Sequence, residues 1–306
     1  MIPEFTTHRE LKPYQTPTPA MRLGAPGKFG KLELEFALDN RQRSIMSHWA
    51  RQAPLIVQQE LYFDESMPEM PCVYILSSGG PNVDGDRYEQ QITVHPHAYA
   101  FISTGAATKI AEMRYNFSGL KQQFTLEEEA YLEYIPEATI PCRNSRYATD
   151  TSITIHPTAT LFYAEMYAGG RKYYNDGELL LYDLLSITTQ AKRPDDTPLF
   201  REKMVISPQT QSLRTIGQLH QYDVFANVMV LTPPEKADII YSQTAACLQS
   251  SAHMAVGISY LPNNSGLIFK ALGKEIHPIK RIIRQFASTV RLTIKGKSLP
   301  EEFIWK

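Results

Sequence analysis

Apolar and polar residues alternate along much of this chain, and the period is that of strands. From Lys28 onward Leu32, Leu34 and Phe36 alternate with Glu33 and Glu35, as in a half-buried strand. Residues 54–62 and 72–76 read as two further strands, and a Gly-rich turn holding Asp84 and Asp86 follows them. A weak repeat comes next. Ile92-Thr93-Val94, Phe124-Thr125-Leu126 and Ile153-Thr154-Ile155 each lead through a turn to an alanine, Ala98, Ala130 or Ala159, and then to another strand. The alanines lie 32 and 29 residues apart. Strand–turn–strand units at a near-constant period predict coils that stack, each burying a face it cannot bury alone. The expectation is a mainly β chain with a β-helix-like stacked-strand body. A plain antiparallel sandwich of similar hairpins fits the same pattern.

Strands continue at 178–187 and 203–206, and after about residue 220 the pattern changes. Residues 222–231 read as a strand, and Thr232 with Pro233 forms a cap and first-turn proline for a helix from 235 to about 250. Residues 253–261 and 266–271 form a hairpin. A last helix begins at Pro278, with Ile279, Ile282, Ile283, Phe286 and Val290 at helical spacing and Lys280, Arg281 and Arg284 outside. The order predicts a Pro-rich N-terminal arm over 1–27, flexible or draped on the body, a β-helix-like body over 28–219, and a β-α-β-β-α layer with a C-terminal tail over 220–306.

Composition narrows the function classes. The chain has 306 residues, 43% apolar and 21% charged, and 31 Lys and Arg against 32 Asp and Glu, so no global basic field favours nucleic acid or an anionic membrane. Cys72, Cys142 and Cys247 are odd in number and far apart, which fits neither a disulfide framework nor a zinc site and points to reduced cytosol. The N-terminal residues do not read as an export signal, and no run approaches the roughly 18 apolar residues of a membrane span.

Individual motifs give weaker signals. The loop 79–86 lacks the Lys-Ser/Thr ending of a phosphate cradle, so it reads either as a turn presenting a functional acid or as a bulged hairpin in which Asp86 caps backbone amides. His95 and His97 flank Pro96 and are explained by turn chemistry better than by metal ligation. Counting from the repeat alanines, Thr104, Pro136 and Glu165 share one offset, with Glu137 one step along. Stacking at about 4.8 Å would gather Glu137 and Glu165 near Thr108 and Lys109. Such acids need a cation, a lysine or water; Lys109 is the structural counter-charge, and a wet, acid-lined cation passage is the functional reading. No nucleophile constellation is present, so no catalytic residue is assigned.

Several blocks together resemble a known family: residues 54–62, Val73 to Leu76 with Gly85-Asp86, Thr104 to Lys109, Leu132 to Pro141, Gly169-Gly170-Arg171, and Pro198 to Glu202. Over roughly 28–295 the chain is similar to the urease accessory protein UreD, called UreH in some bacteria. The resemblance implies a non-enzymatic, cytoplasmic maturation factor. It would bind the urease apoprotein and UreF, reach the GTPase UreG through UreF, and hold no cofactor tightly while passing Ni²⁺ through a water-filled path. The path positions it implies are Asp86, Thr108, Glu165 and Glu202, with Lys109, Glu133 and Glu137 in the matching blocks beside them. One departure is that Pro81 and Asp84 stand where the family's turn carries glycines, which predicts a stiffer, more acidic turn. The rivals are a pure adaptor and a β-helix polysaccharide lyase or hydrolase using Asp86, Glu137 and Glu165 as acid/base groups.

Overall fold

The computed structural model describes residues 3–5, 8–17, 27–245, 251 and 253–300. A 3-10 turn over Arg9–Tyr14 precedes β1 (Phe29–Leu38), which forms an antiparallel hairpin with β2 (Ser44–Gln52). β3 (Leu55–Ile56) then pairs antiparallel with β4 (Cys72–Ser77). From there the chain winds in coils through β5 (Arg87–Val94), β6 (Tyr99–Thr104), β7 (Thr108–Ile110), β8 (Ser118–Leu126), β9 (Tyr131–Tyr134), β10 (Thr139–Pro141), β11 (Arg146–Ile155) and β12 (Thr160–Ala168). A small hairpin of β13 (Gly170–Arg171) and β14 (Glu178–Leu179) leads to β15 (Leu184–Lys192) and β16 (Pro198–Ile206). The remainder is β17 (Val224–Leu231), α1 (Pro234–Ala245), β18 (Met254–Tyr260), β19 (Gly266–Gly273) and α2 (Ile276–Lys295).

Two large sheets face each other. The first has the order β16-β15-β11-β8-β5-β1-β2; its five inner strands are parallel to one another, and the edge strands β16 and β2 are antiparallel to them. The second runs β18-β19-β17-β12-β9-β6-β4-β3, parallel from β4 to β12 and antiparallel beyond. This parallel winding carries the stacked-coil expectation and excludes the plain antiparallel sandwich. The repeat lines up as the spacing requires: Ile92 pairs with Phe124 and Phe124 with Ile153, while Ala98, Ala130 and Ala159 are buried at successive corners.

Some strand expectations fail for local reasons. Of 54–62 only Leu55–Ile56 and an isolated bridge at Leu61 pair, because the chain leaves the sheet to bury Asp64 and Met70. The expected strand 178–187 breaks after Leu179: Leu180 adopts a positive φ of 57°, turning the chain into β15. Thr232 does not cap α1; its hydroxyl is hydrogen-bonded to Thr160 Oγ1 at 2.8 Å. The end of that expected helix, 246–250, and Cys247 lie outside the described residues.

Both helices pack on the outer face of the second sheet, where Ile240, Ile279, Ile283, Phe286 and Val290 meet Phe162, Met166, Val228 and Phe269. Among the described residues no helix is long and apolar enough to cross a membrane. The N-terminal segment drapes over the outer face of the first sheet, burying Phe5 and Leu11 against Phe117, Ala148 and Leu184. Ser186 Oγ is 2.7 Å from His8 Nδ1, and Lys203 Nζ donates to Glu10 at 3.0 Å. Gly119 makes room for this arm, since a Cβ there would stand 2.4 Å from Phe5 Cζ. Gly119→Ala is therefore expected to lift the arm at a cost of about 1–3 kcal/mol. Limited proteolysis within 8–17 would report it, and an unchanged cleavage rate would count against the contact.

Candidate functional site

The space between the sheets is apolar at both sides and polar along its middle. One core contains Leu32, Leu34, Phe36, Ile92, Phe124 and Ile153; the other contains Tyr147, Tyr167, Tyr182, Leu185 and Ile187. Between them the first sheet places Gln90, Gln122, Thr151, Thr189 and Glu202 in one register row. Across five neighbouring strands this row spans about 19 Å. The second sheet answers with Glu165, Asn227 and Lys270, also in one row, and with the hydroxyls of Tyr134 and Tyr163. The result is a polar seam along the stacking axis.

Hydrogen bonds run along the seam. Gln122 Nε2 donates to Gln90 Oε1 at 2.9 Å and to Tyr134 OH at 2.8 Å. The Tyr163 hydroxyl lies 3.0 Å from Gln122 Oε1 and 2.9 Å from Glu165 Oε1, and Tyr167 OH donates to the same Glu165 oxygen at 3.2 Å. Glu165 is 6% exposed, and its second oxygen, Oε2, has no hydrogen-bond partner among the described residues. Thr189 Oγ1 in the facing row is in the same situation. Burial pushes the Glu165 carboxyl up to about 7, against the opposing hydrogen bonds of Tyr163 and Tyr167; Glu202 adds to the rise and Lys270 subtracts from it. A group so placed is poised between neutral and charged at neutral pH.

The seam communicates with the surface. A cavity of ≈ 60 Å³ is lined by Glu165, Tyr163, Tyr167, Gln122, Glu137 and Thr108. A cleft of ≈ 400 Å³, walled by 80–82 and 104–109, shares Gln90, Thr104, Thr108, Leu120 and Tyr147 with that cavity. At the other end Lys270 Nζ donates to Glu202 Oε1 in an ion pair. A carboxylate that lacks one partner, set among amides and hydroxyls and open to a cleft, can bind a cation without the imidazole and thiolate ligands that hold transition metals tightly.

A family model described as UreD urease accessory protein matches residues 28–306. The chain belongs to the UreD family. Urease accessory protein UreD 2 of Brucella suis biovar 1 is 42% identical to it over 297 residues, covering 97% of this chain and 98% of that protein. UreD of Yersinia pseudotuberculosis serotype O:1b is 42% identical over 297 residues, 97% of this chain and 92% of its own. UreD 2 of Brucella ovis is 41% identical over the same length. The chain is thus a urease accessory protein by family.

The positions that the UreD resemblance implies fall in different places. Glu165 lies inside the seam, Thr108 where cleft and cavity meet, and Glu202 at the far end. Lys109 lines the outer cleft and two smaller surface pockets beside it, and is not among the residues lining the inner cavity. Glu137 lines the cavity, but its counter-charge is Lys280 of α2, with Nζ at 2.6 Å, and not Lys109 as the stacking of the repeat predicts. Glu133 points to the opposite face of the second sheet and pairs with Arg291. Asp86 is fully buried beside the cleft: Oδ1 accepts from Lys28 N, Oδ2 from Val83 N and Tyr88 OH, each at 2.9 Å, and Lys28 Nζ is 3.1 Å away. That carboxylate is committed to the turn. Asp84 likewise accepts the backbone N–H groups of Arg114, Tyr115 and Asn116 at 2.7–2.9 Å, so the acid that departs from the family's glycine pins the 113–117 loop. His95 bridges Glu35 and Glu127 through its two ring nitrogens, at 3.0 and 3.2 Å, as turn chemistry predicts.

Gln90, Gln122, Tyr134, Thr151, Tyr163, Asn227 and Lys270 belong to the seam but to no chemical motif of the sequence. A signal for three of them was present. Gln90, Gln122 and Thr151 each stand two residues before the repeat's aliphatic or aromatic position, hence on the inward parity of their strands. A polar residue at that parity in three successive coils marks a buried polar row.

Proposed function

We propose that this UreD-family protein passes Ni²⁺ along the seam to the urease apoprotein while holding the maturation complex together in the cytoplasm. UreF would dock on it and bring UreG, the nickel-carrying GTPase. The observation that carries the reading is Glu165: a buried carboxyl with one oxygen unpartnered among the described residues, in a cavity contiguous with an open cleft. Burying an acid so incompletely paired opposes stability, which makes sense if the group meets a cation in passing. Carboxylate, amide and hydroxyl oxygens hold nickel loosely enough to release it. Asp86, saturated by its own turn, shapes the cleft wall.

Glu165→Gln is the direct test, because the shape is kept and only the charge is lost. The urease subunits are co-expressed with the accessory proteins, and complex recovery and nickel per active site are measured. The complex is expected to persist while nickel loading drops several-fold. Unchanged loading would sink the conduit, and loss of co-purification would favour an adaptor role. Normal urease activation without this chain would remove the maturation reading itself. Asp86→Ala is a poor probe, since it strips a fully buried acceptor from two backbone amides.

A further inference from the structure

We infer that Lys270 is a tethered counter-cation that gates the outer end of the seam, holding Glu202 until a divalent cation displaces its ammonium. The inference rests on the conduit reading above. Register places Lys270 in the row Glu165, Asn227, Lys270 on the inner face of the second sheet. Its neighbours at the same parity, Ile268 and Leu272, pack against the two apolar cores on either side. Glu202 ends the facing row from Gln90 through Thr189. The ion pair between them thus closes the seam where β16 ends the first sheet and Lys270 faces it from β19, next to the edge strand β18 of the second, which places Gly257 beside Lys270.

Exposure explains why this pair can open. The side chains of Lys270 and Glu202 are 52% and 30% exposed, whereas Glu165 is 6% exposed. An ion pair in contact with water is weakly held, so a divalent cation competes for Glu202 without disturbing the fold. The same ammonium and carboxylate also act at a distance on Glu165, with opposite signs. When the cation moves on, the ammonium returns to Glu202 and disfavours reloading. A fixed positive charge at the mouth therefore weakens binding and speeds release.

The test uses the purified full chain with Ni²⁺ alone as the probe, measured by equilibrium titration and by chelator-triggered release. Lys270→Met is expected to tighten Ni²⁺ binding on the order of tenfold and to slow release comparably. Lys270→Arg, which keeps the charge, should stay near the parent, and adding Glu202→Gln to Lys270→Met should undo the tightening. Circular dichroism melts confirm that each variant is folded. Unchanged Ni²⁺ affinity and release in Lys270→Met, or no measurable Ni²⁺ binding by any variant, would overturn the gate. If Glu165→Gln still lowers the nickel content of urease in that case, the conduit stands without it. If Glu165→Gln leaves that content unchanged, conduit and gate fall together.

Discussion

Replacing Arg291 by alanine is expected to destabilise the fold by about 3–5 kcal/mol, a larger loss than any surface change in this chain should cause. Arg291 is fully buried on α2. Its Nε and Nη2 reach the two oxygens of Glu133 on β9 at 2.7 and 2.6 Å, and Nη1 pairs with Asp64 from the 57–71 segment. Burial opposes the guanidinium charge, but Glu133, Tyr131 and Asp64 more than offset this and hold its pKa above the ordinary value. Lys295, one turn along, lies over the rings of Tyr99 and Tyr131. Truncating Arg291 would leave two buried carboxylates near one remaining ammonium. Urea unfolding measures the loss. Arg291→Lys should recover little, because a point charge cannot make the forked contact with Glu133. Replacing Arg291, Glu133 and Asp64 together by apolar residues of similar volume should recover most of it, since no charge is then left without a partner. A small effect of Arg291→Ala would show that the cluster is solvated and that α2 is held by its apolar face alone.

The same residues show what periodicity can and cannot reveal. The coils were legible because Ile92, Phe124 and Ile153 repeat a pattern that only stacking satisfies, and the register confirms it. β2 escaped notice because only Ser44 and Met46 of that edge strand are buried, so Ser44 to Gln52 shows no clean alternation. Arg291 occupies the apolar face of α2, where a helical pattern predicts a hydrophobic residue; its partners come from 158 and 227 residues away, beyond any local rule. The seam was half legible. Glu165 emerged from the repeat offset, whereas the Glu202–Lys270 closure depends on β16 ending the first sheet opposite β19 of the second. Alternation sets the side on which a residue faces, and only the folded chain decides what stands opposite.

Glu165→Gln is expected to flatten the pH dependence of stability between pH 5 and 8, and to leave the protein more stable than its parent at the alkaline end. The folded-state pKa of Glu165 is raised from an ordinary 4.5 to about 7 by burial. The folded chain therefore binds this proton more tightly than the unfolded chain. The stability that follows is fully present below about 4.5 and is lost as pH rises through 7, where the buried group must ionise. The full difference corresponds to roughly 3 kcal/mol. Glutamine keeps the acceptor for Tyr163 and Tyr167 and has no such proton to lose. Denaturant midpoints of both proteins across this range would measure it, and parallel profiles would show that the Glu165 carboxyl is not desolvated. Other groups titrate nearby: His95 has a raised pKa, chiefly through its hydrogen bond to Glu35, and His8 a lowered one through burial. The described hydrogen bonds of these histidines reach Ser186, Glu35 and Glu127, outside the seam, so their contributions should appear in both profiles and cancel in the difference. What survives the subtraction belongs to Glu165, an acid that lowers stability at neutral pH and so calls for a functional reason to be there.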